Sequence, residues 1–375
     1  MLIKSHVPRR STNSDSATGV ILGRMSLLWE PDHLGPEYWM AALGLPPDDE
    51  GPCTATLVAH TPSGGPSFGG LPPESASGHD GRDFRPVRAV LYVHGWSDYF
   101  FQEATAEFFT DRGIAFFAVD LRKFGRSLRP WQTPGYITDL AEYDADINAA
   151  IDALTDVLRD RHGGGIDVSL TLMAHSAGAL TAVLWAARNP GRARSLVLNG
   201  PWLDTQGSAL LRTATQGVLG TVSRFRPKAR LRVPELGFYW RSISRSADGE
   251  WDLLPSWRPE TGFPLRAGWF AAILAGQAEV ARGLSLPVPV LVMASGSSTI
   301  STTWSEAMLE SDSVLDVSVM VRRAVELGSC VTVCRFDGAL HDVLLSRAPV
   351  RSAAYRQLGR WLDAYGFSGA VAPGP

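Results

Sequence analysis

Leu170-Thr171-Leu172-Met173-Ala174-His175-Ser176-Ala177-Gly178-Ala179-Leu180-Thr181-Ala182 is the stretch on which the reading of this chain turns. An alternating apolar run stops at Ala174, a polar pair follows, and small residues then open a segment with helical spacing through Leu184, Trp185 and Ala187. Ser176 therefore occupies a strand-to-helix turn. A nucleophile elbow needs that context: the bend is so sharp that the positions two before and two after the serine must be nearly free of side chain, here Ala174 and Gly178. The serine Oγ then stands above the sheet edge, and the next amide, that of Ala177, points toward a developing oxyanion. The pattern is A-x-S-x-G, one methyl away from the commoner G-x-S-x-G.

Working outward, the elbow sits in a regular alternation that starts at Val87. Ala89 to Val93 is a short apolar run ending in His94-Gly95-Trp96, Gln102 to Arg112 has helical periodicity, and Ile114 to Val119 is a second run ending in Asp120-Leu121-Arg122. Ile137 to Arg161 reads as a long amphipathic helix stopped by His162-Gly163-Gly164-Gly165. Strands are expected at Val168 to Ala174 and Ser195 to Leu198, with a helix from Gly178 to Arg188 between them. Continuous apolar runs mark strands covered on both faces, and their alternation with helices marks a parallel sheet. The beat stops after Asn199-Gly200-Pro201. Residues 202 to about 285 are rich in Trp, Arg, Leu and Pro, with amphipathic pieces around Ser208 to Ser223 and Leu265 to Leu284 flanking an irregular Pro227 to Pro264. The beat resumes with a strand at Val288 to Met293, a helix near Val317 to Leu327, a strand at Cys330 to Phe336 and a terminal helix near Pro349 to Ala364.

The fold class that follows is α/β, a mostly parallel central sheet with helices on both faces and a helical cap inserted over the carboxyl ends of the strands, where open sheets bind ligands. The expected organisation is an N-terminal arm over 1–24, the first part of the core over 25–201, the cap over 202–286, the second part of the core over 287–368 and a tail over 369–375. Within the first part, Tyr38 to Leu45 and Thr54 to Ala59 read as strands joined by a turn at Pro46 to Gly51, and the Gly-, Ser- and Pro-rich residues 61–83 as a flexible excursion.

The chain has 375 residues, enough for one large α/β domain with an insertion or for two domains. With 45% hydrophobic and 19% charged residues and a net charge of −3, the composition is that of a globular enzyme and gives no electrostatic case for nucleic acid. The three lysines are Lys4, Lys123 and Lys228, and the arginines form no polybasic run. The N-terminus has no apolar h-region and no window reaches the ~18 apolar residues of a membrane span, so the expectation is a cytoplasmic protein without stable membrane insertion. Cys53, Cys330 and Cys334 are too few for a disulfide scaffold and lack metal-ligand spacing; buried free thiols are expected.

A serine nucleophile needs a base within hydrogen-bond reach and a third group that orients the base. Of the eight histidines, His6, His33, His60 and His79 are placed outside the core sheet, and His162 ends a helix. His175 adjoins the serine but projects away from it, in a packing or hydrogen-bonding role, and His94 belongs to the loop after the first core strand. His341, in Gly338-Ala339-Leu340-His341-Asp342, is left, downstream of the serine where the order Ser, acid, His expects the base. The acid should follow the strand ending at Met293. The segment 294–317 offers Glu306, Glu310, Asp312 and Asp316, of which Asp312 is preferred and Asp316 stands second, with Asp204 an outside alternative. The amide of Trp96 is the candidate second oxyanion donor beside Ala177. His94, Gly95, His175 and Trp202 complete the expected substrate surroundings.

The ordered set YVHGW (92–96), DLRKFGRS (120–127), AHSAG (174–178), LNGPW (198–202) and GALHD (338–342) resembles the α/β-hydrolase superfamily, and within it the monoglyceride lipase, lysophospholipase and serine aminopeptidase group. The resemblance covers about residues 87–201 and 287–366. DLRKFGRS is similar to that group's D-x-R-G-H-G-x-S, with Lys123 and Phe124 replacing Gly-His. The resemblance implies an α/β-hydrolase fold, Ser176 as nucleophile, His341 as base, and Trp96 and Ala177 as oxyanion donors. It places the acid at the head of a D-x-x-V-D/P pattern, which Asp312-Ser313-Val314-Leu315-Asp316 fits loosely, with Leu315 at the valine position and Asp312 first. The departure is the long polar insert Ser295 to Thr303, where the group has a short Gly-x-x-Asp turn.

The expected function is therefore a serine hydrolase that cleaves a carboxylic ester of a hydrophobic acyl substrate through an acyl-enzyme, with no metal or organic cofactor. Its partner is a small-molecule acyl substrate, and a homo-oligomer is compatible with the sequence. The alternatives are acyl transfer, thioester release or cyclisation with the same three residues, or a ligand-binding member of the fold without catalysis.

Overall fold

The computed structural model describes residues 27–62, 86–162, 165–205, 222–231 and 236–367. The expected N-terminal arm, nearly all of the 61–83 excursion and most of the amphipathic piece at Ser208 to Ser223 lie outside the described residues.

Among the described residues nine strands form one sheet: β1 (Glu30–Pro31), β2 (Tyr38–Asp48), β3 (Gly51–His60), β4 (Val87–Val93), β5 (Ala115–Asp120), β6 (Val168–His175), β7 (Ser195–Asn199), β8 (Val290–Ser295) and β9 (Val331–Phe336). Their spatial order is β1-β2-β3-β5-β4-β6-β7-β8-β9. The six strands from β5 to β9 are parallel to one another, and β1, β2 and β3 join antiparallel at one edge. That edge corrects the sequence reading. The hairpin expected beside the sheet belongs to it, with Leu57 opposite Val119 of β5, so His60 is a strand residue of the sheet and not a peripheral one. The turn is also shorter than expected, because β2 runs on through Pro46 and Pro47 to Asp48 across a register shift.

The parallel strands read as continuous apolar runs because both faces are covered. In β4, Ala89, Leu91 and Val93 face one hydrophobic cluster while Val90 and Tyr92 face another. The first cluster takes side chains from α2 (Tyr143–Arg161), α3 (Ser176–Arg188), α5 (Ala267–Val280) and α6 (Val317–Ala324), the second from α1 (Glu103–Thr110) and α7 (Ala348–Trp361). A short helix, α4 (Phe238–Ile243), lies in the stretch expected to be irregular. Burying each large apolar chain, such as Phe109, Phe117 or Trp185, is worth roughly 1.5–3 kcal/mol, so this two-sided core fixes the sheet.

The helix expected from Ile137 begins later. Asp139 Oδ1 accepts the Ala141 amide at 2.9 Å while Glu142 Oε1 accepts the Asp139 amide at 3.1 Å, a capping box that opens a short 3₁₀ turn ahead of α2. No helix among the described residues is long and apolar enough to cross a membrane.

The topology gathers the loops that matter at the carboxyl ends of the strands. Val93 pairs with Ala174 and His175 with Asn199, so the chains leaving β4, β6 and β7 emerge side by side.

Candidate active site

Ser176 is the first residue of α3, directly after β6, and its backbone has φ +52°. A non-glycine residue in that left-handed region costs about 1–2 kcal/mol, a strain that the surroundings must hold in place. They do so by close approach. A Cβ on Gly178 would lie 2.1 Å from the His94 carbonyl oxygen, and a Cβ on Gly95 would lie 3.1 Å from the Ser176 Cβ. The elbow and the loop after β4 are thus packed backbone against backbone. Ala177, in the first turn of α3, carries an amide with no partner inside the helix.

His341 comes from the loop after β9. Its Nε2 lies 2.9 Å from Ser176 Oγ and its Nδ1 2.9 Å from Asp312 Oδ2. All three residues are buried, Ser176 being the most open at 8%. Asp312 Oδ1 is occupied by the amides of Val314 and Leu315, both at 2.8 Å, which leaves Oδ2 for the imidazole. The long insert after β8 anchors that carboxylate: the Asp312 amide donates to Ser297 O at 3.0 Å and the Thr299 amide donates to Asp312 O at 2.9 Å. Asp316 caps α6 instead, accepting from the Ser318 and Val319 amides, and Asp204 pairs with Arg323. Of the sequence candidates, only Asp312 meets the histidine.

The His341 ring is held between two others, His175 at 4.9 Å and Tyr239 at 5.3 Å between centroids. Burial holds His175 below the ordinary imidazole range, reinforced by His341, while Asp342 pulls the other way. A neutral His175 adds no charge beside His341. Its Nδ1 donates to Asn199 O at 2.9 Å, so it plays the packing and hydrogen-bonding part expected for it. Gly200 closes the back of the site, since a Cβ there would lie 2.2 Å from the His341 carbonyl oxygen.

These residues open onto a cavity of about 500 Å³ lined by Trp96, Trp202, Phe238, Tyr239, Trp240 and Phe263 as well as by Ser176 and His341. A second cavity of about 680 Å³, bordered by Tyr99, Glu103, Glu107 and Trp251, includes neither Ser176 nor His341. Among the described residues no group of three or more His, Cys, Asp or Glu side chains could hold a metal ion.

The family described as serine aminopeptidase, S33, matches residues 85–346. The chain belongs to that family of α/β hydrolases. Solved structures share the fold. A monoacylglycerol lipase from Paleococcus ferrophilus is 17% identical over 74% of this chain and 95% of its own, with a TM-score of 0.54. A soluble variant of monoglyceride lipase from Saccharomyces cerevisiae, in complex with a substrate analog, is 14% identical over 92% of this chain and 96% of its own, at 0.55. A thermophilic esterase from Thermogutta terrifontis is 17% identical over 87% and 99%, at 0.50. No curated protein matches the sequence.

In this α/β hydrolase two of the expected substrate contacts have other work. His94 is fully buried and absent from the cavity wall; its Nε2 accepts the Leu121 amide at 3.0 Å and its Nδ1 lies 2.8 Å from Gly95 O, so it pins the loop after β4 to the end of β5. Gly95 likewise packs behind the elbow. Trp202, His175 and Trp96 line the cavity.

The sequence reading missed the buried polar groups around the site of this hydrolase. Arg258 donates to Asp98 Oδ1, both side chains buried, and Asn199 Nδ2 donates to Asp342 Oδ1 at 2.5 Å. The Asp342 amide donates to the Tyr239 hydroxyl at 3.2 Å. Burial, with Asp342 next, pushes the Tyr239 phenol well above its ordinary range, so it stays protonated. Asp98 was within reach of sequence reasoning, four residues after His94. Arg258 sits in an aperiodic stretch that offers no signal.

Proposed function

We propose that this chain is a serine hydrolase that cleaves a carboxylic ester of a hydrophobic acyl substrate through an acyl-enzyme. One observation carries the reading: Ser176 Oγ, His341 and Asp312 form a continuous buried hydrogen-bonded chain with both links at 2.9 Å. His341 Nε2 takes the Ser176 proton as Oγ attacks the carbonyl carbon. Asp312, whose other oxygen is already satisfied, holds the imidazole with Nδ1 protonated and stabilises the cation that forms. The Trp96 and Ala177 amides receive the charge that develops on the carbonyl oxygen, each such donor being worth about 3 kcal/mol of barrier. His341 then returns the proton to the leaving alcohol, and water activated by the same imidazole releases the acid.

The ester preference rests on the cavity. The surface it exposes is mostly apolar, with Trp96, Trp202, Phe238, Tyr239, Trp240 and Phe263 among its walls, which suits an acyl chain. Its buried carboxylate, Asp98, is already paired with Arg258, and its other carboxylate, Glu260, is exposed.

The test is labelling by a fluorophosphonate together with turnover of p-nitrophenyl esters of increasing acyl length. Wild type should label at Ser176 and gain in kcat/KM with chain length, and Ser176→Ala should not label and should lose roughly 10⁴-fold or more in rate. A wild-type protein that neither labels nor turns over any ester of the series would overturn the reading.

A further inference from the structure

The loop after β4 is held, residue by residue, by the segment inserted between β7 and β8. The Trp96 ring lies 3.7 Å, centroid to centroid, from Trp269 of α5. Ser97 Oγ accepts the Phe263 amide at 2.9 Å. Asp98 Oδ1 accepts from the Arg258 guanidinium and also from the Tyr99 amide at 2.9 Å. The Tyr99 hydroxyl accepts the Leu254 amide at 2.9 Å. Four consecutive residues thus each have a partner in the insertion, and the first of them carries the amide assigned to the oxyanion. Ser97 has φ +50°, a conformation that L residues seldom adopt and that does not persist unless the surroundings hold it. On its inner side the same loop meets the tight glycine contacts with the elbow, the His94 link to Leu121, the Phe124 ring against Trp96, and Asp120 and Arg126, which bond the Phe100 backbone at 2.9 and 3.0 Å.

We propose that residues 254–263 clamp this loop, making Ser97, Asp98, Tyr99 and Arg258 positioning residues for the Trp96 amide, so that the site is competent only while the insertion is seated. The inference rests on the hydrolase reading above. Physically, the two backbone amides of Leu254 and Phe263 and the Arg258 guanidinium hold the side chains of Tyr99, Ser97 and Asp98, and through them the backbone that follows Trp96. Loss of one of these bonds lets Ser97 relax toward ordinary φ, and the relaxation rotates the neighbouring Trp96 amide away from where the oxyanion forms. An oxyanion donor acts in the transition state and hardly at all in the ground state, so its misplacement lowers kcat and leaves KM nearly unchanged.

The experiment compares wild type with Ser97→Ala, Arg258→Ala and Arg258→Lys in steady-state ester hydrolysis and in inhibition by an aryl trifluoromethyl ketone, whose hemiketal with Ser176 places a negative oxygen at the same position. Ser97→Ala should lower kcat by roughly 10- to 100-fold with KM within about twofold, and weaken the ketone by the same factor as kcat/KM. Arg258→Lys should recover part of what Arg258→Ala loses. Thermal unfolding of each variant shows whether it is folded, and Ser97→Ala, the mildest change, keeps the test alive if Arg258→Ala is not. If Ser97→Ala and Arg258→Lys keep kcat within twofold, or lose rate only through KM with ketone affinity unchanged, the clamp is overturned while the hydrolase reading stands. If the wild type itself shows no Ser176-dependent turnover, the hydrolase reading fails first and the clamp falls with it.

Discussion

Asp312 and Asp316 are four residues apart and locally alike, since each carboxylate caps a turn by accepting two amides, those of Val314 and Leu315 in one case and of Ser318 and Val319 in the other. Their second oxygens differ. That of Asp312 meets His341 Nδ1, whereas Asp316 serves the N-terminus of α6. Asp312→Asn should therefore lower kcat by roughly 10⁴-fold with little change in KM or thermal midpoint, because the amide cannot hold the imidazole with Nδ1 protonated. Asp316→Ala should leave the rate unchanged and cost about 1 kcal/mol of stability as a lost cap. Steady-state kinetics beside chemical denaturation of the two variants separates the roles, and equal rate losses in both would show that the assignment is wrong. The D-S-V-L-D spelling brought both aspartates into view and could not rank them by geometry, since what turns Asp312 toward His341 is the pairing of its backbone with Ser297 and Thr299 across the long insert. His94 failed for a related reason: a place in the loop after β4 says nothing of a ring that folds back onto Leu121.

At the scale of elements, the parallel strands were legible because burial on both faces leaves them as unbroken apolar runs, and the elbow because strand, small residues and helix follow one another within a dozen positions. The hairpin of β2 and β3 was legible as strands but not as part of the sheet. Its pairing with β5 joins residues about sixty positions apart, and no local pattern encodes such a partner. The long insert after β8 looked like a departure from the pattern, and its Ser297 and Thr299 hold the backbone of Asp312. The elbow itself depends on a crossing with no room for a methyl group. Gly178→Ala would drive a Cβ to 2.1 Å from the His94 carbonyl oxygen, backbone that cannot swing aside as a flexible side chain would. The expected result is a loss of about 3 kcal/mol in urea unfolding, an overpacking cost at the upper end of the usual range, together with loss of fluorophosphonate labelling, because α3 must shift away from β4 and carry Ser176 out of reach of His341. A Gly178→Ala protein of wild-type stability and labelling would mean that the elbow tolerates a looser approach than this packing allows.

Over the whole molecule, the motif Asp120 to Ser127 does not line the cavity at Ser176 and ties distant segments together instead. Arg126, buried, donates through Nε and Nη2 to Asp32 at 2.6 and 2.9 Å and through Nη1 to Asp120 at 2.8 Å and to Phe100 O at 3.0 Å. One guanidinium thereby ties the chain after β1 to the end of β5 and to the approach to α1. Lys123, where the related motif has glycine, sits at φ +64° and pairs with Asp48 and Glu50 at the β2–β3 turn, so the same motif also fastens the hairpin. Burial alone would raise the Asp32 pKa, but hydrogen bonds from Arg126 and His33 and the Arg126 charge outweigh it and hold the carboxyl far below its usual range. Glu50 moves the same way, down to about 2: burial raises it, and the bonds from Lys123, Thr133 and Lys228 prevail. A carboxyl whose pKa is depressed by folding adds stability above its unfolded value, near 4, and loses that contribution as the pH falls toward the folded value, since the unfolded chain then binds the proton first. The thermal midpoint of the wild type should accordingly hold between pH 7 and 5 and fall steeply below about pH 4, and Asp32→Asn should flatten that fall while lowering the midpoint at neutral pH. Arg126→Met removes the shared cation and strands two buried carboxylates, which should cost about 3–5 kcal/mol at pH 7 and, because burial then acts on Asp32 without the opposing cation, should flatten the acid fall as Asp32→Asn does. Calorimetry of the three proteins from pH 3 to 7 is decisive: parallel curves for wild type and Asp32→Asn would show that the Arg126 tie contributes nothing to acid sensitivity.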